Sequence, residues 1–312
     1  MERMKFQLTA LTICCLMVLS GITVGGTIIK TASKHSNDTN ECTVANEFYF
    51  VQLTDTHVMS KVFDPHEISK KNLQTALDHV CSFGRKPAFI VITGDLTNWG
   101  GSWISGAMNC LAFASCLYKK AGQFYADANY SVPVYTTPGN HEYIYTRNLM
   151  NYHRYIETDD RFIVNYSDAS LFFLNSGPMS FNDGAGLYDS DMKWLEGALD
   201  NCTAHIKIVL MHHPAVNARN EHGRMSSVIA RNREAFVTSC ENHNVELVLT
   251  GHTHQARIFD GNENAYEDPT SLNCSLYPTL FVQTDDCDKD IHYRNVTFIG
   301  NDVWLERCVK VT

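Results

Sequence analysis

A chain of 312 residues, 44% hydrophobic and 19% charged, has room for one large domain or two small ones and the composition of an ordinary globular core. Its formal net charge of −9 gives no general attraction to nucleic-acid polymers or anionic membranes, so an anionic ligand needs a local positive site. No internal repeat or low-complexity tract is present.

Arg3 and Lys5 precede an uncharged stretch from Phe6 to Ile29, most apolar between Leu8 and Leu19. Residues 1–30 read either as a signal peptide, with small residues for cleavage near Ser20 or Gly26, or as an uncleaved signal anchor, since the stretch exceeds the roughly 20 residues that span a bilayer. Both readings put the rest of the chain in the secretory pathway. It is then secreted or lysosomal, or membrane-anchored through residues 6–29 with a lumenal or extracellular body. Six Asn-x-Ser/Thr sequons agree, at Asn37, Asn129, Asn165, Asn201, Asn273 and Asn295. Of eleven Cys, Cys14 and Cys15 lie in the apolar stretch. The other nine are Cys42, Cys81, Cys110, Cys116, Cys202, Cys240, Cys274, Cys287 and Cys308. An oxidising compartment pairs most of them and leaves one over. The polar residues 31–46 suit a linker, and residues 47–312 make up one domain.

Glu47–Leu53 reads as a strand ending in Thr54-Asp55-Thr56-His57. Asp64-Pro65 offers a helix N-terminus and Gly84 a stop, with Ile68, Leu73, Leu77 and Val80 on one face. Ala88–Ile92 is a buried strand ending in Thr93-Gly94-Asp95, and a helix is expected from about Trp103 to Lys120. Val132–Tyr135 is a strand followed by Pro138-Gly139-Asn140-His141-Glu142, where Pro and Gly force a turn. After a helix over Tyr145–Ile156 come strands near Phe162–Tyr166 and Ser170–Asn175. A helix over Asp189–Leu199 turns Trp194, Leu195 and Leu199 inward. Ile206–Leu210 is a strand ending in Met211-His212-His213-Pro214. A helix from about Ser227 to Asn242 leads to the strand Val245–Leu249, which ends in Gly251-His252-Thr253-His254. Further strands are expected at Thr279–Gln283, Asn295–Ile299 and Val303–Val309. Alternation of strands and helices argues an α/β sheet, and the additional strands argue a second sheet packed on it.

Five apolar strands thus end in metal-type ligands, and ligands in open α/β sheets bind at the carboxyl ends of strands. Imidazole and carboxylate donors without thiolate suit Zn, Mn or Fe. A carboxylate can bridge two metals, and a two-metal site clamps the attacking and leaving oxygens of an in-line displacement.

The ordered set Asp55-x-His57, Gly94-Asp95, Gly139-Asn140-His141-Glu142, His212-His213-Pro214 and Gly251-His252-x-His254 resembles the calcineurin-like metallophosphoesterase superfamily, over roughly residues 47–259. The resemblance implies two mixed β-sheets packed as a sandwich and flanked by helices, in α/β/β/α layers. It implies a catalytic domain over residues 47–312 that hydrolyses a small-molecule phosphate ester, either a phosphomonoester or a nucleotide or cyclic-nucleotide phosphodiester. Two divalent ions would be held by Asp55, His57 and His254 and by Asn140, His212 and His252, bridged by Asp95. His212, two residues before the Pro, is selected over His213. His141 would stand beside the metals as general acid, with a metal-bridging hydroxide as nucleophile. Alternatives are a non-catalytic binding protein on the same fold and a sphingomyelinase-like phosphodiesterase. Purple acid phosphatases resemble this layout but carry Tyr three residues after the bridging Asp, where this chain has Asn98.

Other polar residues are expected to matter less. Glu142 reads equally as a group orienting its neighbours or as a solvated carboxylate. His213, Arg219, His222, Arg224, Tyr143 and His66 could contact substrate, but read first as solvated loop residues. Asp285, Asp286, Asp288 and Asp290 lack the Gly and Glu of a calcium loop and read as a surface turn.

Overall fold

The computed structural model describes residues 29–31, 47–127, 132–146, 148–178, 185–217 and 229–311. Most of the expected leader and linker, with Cys42, Asn37, Asn129, Arg219, His222 and Arg224, lies outside the described residues.

In chain order the first elements are β1 (Ile29–Thr31), β2 (Glu47–Leu53), α1 (Ile68–Ser82), β3 (Ile90–Thr93), α2 (Ser105–Ala114), β4 (Tyr118–Lys120), β5 (Gln123–Tyr125), β6 (Pro133–Thr137) and α3 (Met150–Tyr155). They are followed by β7 (Phe162–Tyr166), β8 (Ala169–Phe173), β9 (Ala185–Gly186), α4 (Asp189–Asp200), β10 (Ile206–Leu210), β11 (Ile229–Arg231), α5 (Arg233–Asn242) and β12 (Leu247–Thr250). The C-terminal part contributes β13 (Arg257–Phe259), β14 (Ala265–Tyr266), β15 (Ser271–Asn273), β16 (Leu280–Gln283), β17 (His292–Ile299), β18 (Asp302–Glu306) and β19 (Val309–Lys310).

Two large mixed sheets result. One runs β15-β18-β17-β2-β3-β6-β5-β4, with β2, β3 and β6 parallel. The other runs β1-β7-β8-β10-β12-β16-β13-β14, with β8, β10, β12 and β16 parallel. Parallel strands are buried on both faces, which explains why they read as continuous apolar runs. Side chains alternate between faces, and the layers follow from that. Phe50, Val91, Phe298, Phe173, Ile208 and Leu249 fill the space between the sheets. Val51, Leu53, Ile90 and Ile92 turn the other way onto Leu73, Leu77 and Val80 of α1, Phe113 of α2 and Tyr152 of α3. Phe172, Val209 and Val248 pack on Leu195 and Leu199 of α4 and Phe236 of α5. This is the expected sandwich with helices on both outer faces.

Several local expectations are corrected. The helix expected to Lys120 ends at Ala114; Tyr118–Lys120 instead pairs antiparallel with Gln123–Tyr125 around Ala121 (φ 50°) and Gly122 (φ 86°), a two-residue hairpin loop in the left-handed region. Tyr145 has φ 72°, and α3 starts only at Met150. Asn232 at φ 57° separates β11 from α5. Asp64-Pro65 does not start α1: the N-cap is Glu67 at φ 51°, the helix begins at the exposed Ile68, and Asp64 Oδ2 instead reaches forward to accept from Ser69 N at 3.1 Å.

The disulfide expectation is not met among the described residues: Cys81, Cys110, Cys116, Cys202, Cys240, Cys274, Cys287 and Cys308 are free. They are spread over different apolar clusters, with Cys110 and Cys287 beside α1–α3, Cys240 beside α4 and Cys274 between the sheets. There they act as small hydrophobes. Burial pushes the thiols of Cys110 and Cys274 up to about 12. No helix among the described residues is long and apolar enough to cross a membrane.

Candidate metal centre

The carboxyl ends of β2, β3 and β6 in one sheet and of β10 and β12 in the other meet at one edge of the sandwich. Two adjacent loops leave β2 and β3 in register: Asp55 N donates to Gly94 O (3.1 Å), His57 N to Asp95 O (3.0 Å) and Val58 N to Leu96 O (2.9 Å). The sheets are tied across their ends by Gln52 Nε2 donating to Thr250 O (3.1 Å) and His252 N donating to Asp55 Oδ2 (2.8 Å). These bonds hold five non-glycine residues in the left-handed region: Asp55 (φ 52°), His57 (41°), Asp95 (47°), His252 (69°) and His254 (51°). Close approach also needs glycine. A Cβ on Gly139 would run into the backbone and carboxylate of Asp95, and one on Gly251 into Thr54 and Asp55.

The expected ligands Asp55, His57, Asp95, Asn140, His212, His252 and His254 all lie at this edge. Asp55, His57 and His254 present donor atoms within 4.8 Å of one another, as do Asp55, Asp95 and His212. Asp95 Oδ2 lies 3.3 Å from His212 Nε2, 3.9 Å from His57 Nε2 and 3.8 Å from His141 Nε2. Asp55 Oδ1 is 3.3 Å from His254 Nε2 and 3.9 Å from His57 Nε2. That oxygen is buried and accepts no hydrogen bond. A buried carboxylate oxygen ringed by imidazole nitrogens needs a cation beside it, either a protonated imidazole or a metal ion, and neutral imidazoles and carboxylates converging in this way fit bound metal.

A backbone contact orients one of the candidate ligands. His212 Nδ1 donates to Thr93 O at 2.8 Å, leaving Nε2 facing Asp95 and, at 3.2 Å, Asn140 Oδ1. Burial and the neighbouring charges then divide the histidines. Burial, aided by the other imidazoles, pulls His57 and His252 down to about 4. Burial opposes protonation of His212 and His254 as well, but Asp95 and Asp55 outweigh it at His212 and Asp55 and Asp286 at His254, raising both to about 9. Burial likewise opposes ionisation of Asp55 and Asp95, and the imidazoles prevail, holding both well below the usual carboxylate range.

Four neighbours escaped the sequence reading or were underweighted by it. His213 is buried, not solvated: Nδ1 lies 2.8 Å from Ser176 Oγ, Nε2 has no hydrogen-bond partner, and its donor atom lies within 4.8 Å of those of His212 and His252. Asn98 Oδ1 stands 2.8 Å from His141 Nδ1. Glu142 is buried and clasps two loops, Oε1 accepting from Thr97 N (2.9 Å) and Oε2 from Gly139 N (2.8 Å). Burial first, and then Asp95, raise its carboxyl to about 8. Asp286 belongs to no surface turn; it is buried against His254. Tyr143 is half-buried, its hydroxyl accepting from Asn175 Nδ2 at 2.6 Å, while His66 is exposed as expected.

A family model described as calcineurin-like phosphoesterase matches residues 48–256. Among curated proteins, the chain is 26% identical over 217 residues to a probable glycerophosphodiester phosphodiesterase GpdQ of Arcobacter nitrofigilis, covering 66% of this chain and 71% of that protein. The fold is similar to that of purple acid phosphatase PPD1 from yellow lupin (Lupinus luteus) seeds, with a TM-score of 0.56, 12% identity and coverage of 82% of this chain and 50% of that one. It is also similar to GAP50, the anchor in the inner membrane complex of Plasmodium, with a TM-score of 0.53, 13% identity and 82% coverage of both chains. At these identities the two structures speak for the fold alone.

Proposed function

Because the chain belongs to the calcineurin-like phosphoesterase family, we propose that it hydrolyses small phosphate esters with two divalent cations seated at the strand-end cluster. Asp95 carries the reading: its Oδ2 lies 3.3 Å from His212 Nε2 and 3.9 Å from His57 Nε2, so one carboxylate stands between two sets of donors. Asp55, His57 and His254 would hold one cation and Asn140, His212 and His252 the other, with Asp95 shared. Donors of this kind suit Zn, Mn or Fe. When bound, such a pair supplies Lewis-acid charge at the phosphoryl oxygens and lowers the pKa of water.

The chain's own groups do the rest. Asn98 holds His141 through Nδ1 and leaves Nε2 at the margin of the cluster, 3.8 Å from Asp95 Oδ2, to protonate the leaving oxygen. Glu142 locks the loop bearing His141 to the loop bearing Asp95. The likeness to a protein named as a probable glycerophosphodiester phosphodiesterase favours a small phosphodiester, with phosphomonoesters and nucleotides next. The domain that does this is residues 47–312, with Ile29–Thr31 added as an edge strand beside β7, within the secretory pathway.

The test is a substrate panel of aryl monoester, aryl diester, nucleotides, cyclic nucleotides, glycerophosphodiesters and phosphocholine lipids, assayed with Mn, Zn and Fe supplied separately. Turnover of a small ester that disappears on chelation and returns with metal is expected. A folded, metal-loaded protein inert to the whole panel would instead favour a binding protein on this fold.

A further inference from the structure

The loop between β16 and β17 carries Asp285, Asp286, Asp288 and Asp290, of which Asp286 is 5% exposed. Its two oxygens have different neighbours. Oδ1 accepts from Asp288 N (3.1 Å) and Lys289 N (2.8 Å), which closes the loop on itself. Oδ2 lies 3.4 Å from Nδ1 of His254, whose Nε2 is 3.3 Å from Asp55 Oδ1. The His254 ring is therefore suspended between a carboxylate inside the centre and one behind it.

The loop is held firmly enough to aim that carboxylate. Cys287 N donates to Thr54 O (3.1 Å), one residue before Asp55, and Thr284 N donates to Thr250 O (3.0 Å), at the strand end that leads to His252 and His254. Asn72 of α1 donates to Asp288 O, and His292 N donates to Asp286 O at 3.2 Å. Asp286 is thus fixed to both sheets at the strand ends it serves. Two of the other acidic groups have partners of their own: Asp285 Oδ2 is 3.8 Å from His292 Nδ1, and Asp290 Oδ2 is 2.8 Å from Lys310 Nζ.

We propose that Asp286 is a positioning residue for the cation held by Asp55, His57 and His254: its carboxylate receives Nδ1–H of His254 and fixes the tautomer and ring angle that present Nε2 to the metal. Histidines that bind metal usually donate their other nitrogen to a carboxylate or carbonyl, and loss of that partner costs about 10–100-fold in affinity. The assignment rests on the two-cation reading above.

Asp286→Asn separates this role from loop closure. The amide keeps an oxygen for Asp288 N and Lys289 N and sets an NH2 against Nδ1–H of His254. Metal-free wild type and variant are titrated with Zn against a competing chelator. The wild type is expected to bind two ions, and the variant to weaken one of the two binding steps by about 10–100-fold while the other stays within twofold. Equal affinity at both steps, or equal loss at both, overturns the assignment. A wild-type protein that takes up no metal overturns the two-cation reading itself and this assignment with it. Should the variant not fold, nitrogen NMR of the Zn-loaded wild type decides: His254 ligating through Nε2 with a protonated Nδ1 supports the proposal, and ligation through Nδ1 overturns it.

Discussion

Asn98 Oδ1 lies 2.8 Å from Nδ1 of His141, and it is the contact that sets the direction of that ring. The side chain comes from the loop after β3 and the histidine from the loop after β6, so the pair also links two strand ends. The expected consequence is a graded loss. His141→Ala should retain both metals and lose about 10²–10⁴-fold in kcat. Asn98→Ala should lose less, since the imidazole remains but its orientation is free. Metal content and kcat measured together check both; an empty site in His141→Ala would reassign that residue as a ligand.

Asp95 meets both halves of the donor set, and its Oδ1 also accepts from His141 N at 2.8 Å. Asp95→Asn should therefore weaken binding of both cations, whereas His254→Ala should weaken one. Metal analysis after dialysis distinguishes them. One tightly held metal in Asp95→Asn would show that this carboxylate is not shared.

Metal uptake should release protons in the neutral range. His212 and His254 stand at about 9 in the metal-free protein against an ordinary 6.5. Their protonated forms stabilise the metal-free fold fully below pH 6.5, and that contribution is lost as the pH rises through 9. His57 and His252, at about 4, are already neutral at pH 7.5. Binding at pH 7.5 should thus expel about two protons and at pH 10 almost none. Calorimetry in buffers of different ionisation enthalpy reads the number directly. Release of fewer than about one proton at pH 7.5 would refute this account of the two histidines.

Gly139 has φ −112° and ψ −172°, an extended backbone open to any residue, so its constraint is one of space. Gly139→Ala would press a methyl onto Asp95 and should destabilise the metal-free protein by about 1–3 kcal/mol. Gly84, with nothing within 4 Å of an added Cβ, serves as control and should accept Ala with little change. Urea unfolding of the two variants makes the comparison.

The sequons differ in access. Asn201 is exposed at the end of α4, while Asn295 lies in β17 with its Nδ2 donating to Glu306 Oε2 at 2.8 Å. Asn165 lies in β7, hydrogen-bonded to strands on both sides. Material from a eukaryotic secretory host should carry glycan at Asn201 and none at Asn295. Peptide mapping before and after deglycosylation would show it, and an unglycosylated chain from such a host would count against the secretory placement.

The layers and the donor residues at the strand ends were legible in the sequence because both are local. An apolar run followed by Asp-x-His or Gly-Asn-His is visible without knowing which strands pair. Asn98, His213 and Asp286 were not legible for the opposite reason. Asp286 reaches His254 because β16 lies parallel to β12, a neighbour relation that no short window contains. His213 looked solvated because it lies in the loop after a strand, yet Ser176 from the segment after β8 covers it. The over-long helix at Trp103–Lys120 failed on turn chemistry: Ala121-Gly122 closes a hairpin without the Asn-Gly or Asp-Gly that usually announces one.

The left-handed backbone at Asp55, His57, Asp95, His252 and His254 has a bearing on how such a protein ages under mutation. At Asp55, Asp95 and His254 ion pairs and hydrogen bonds offset the strain, but at His57 and His252, which are neutral in the metal-free protein, glycine would release strain worth about 1–3 kcal/mol each. Substitutions there that abolish metal binding can consequently leave a sturdier apoprotein. A lineage freed from the need for turnover would meet little folding barrier to silence at those two histidines, and a higher one at the paired Asp55 and Asp95.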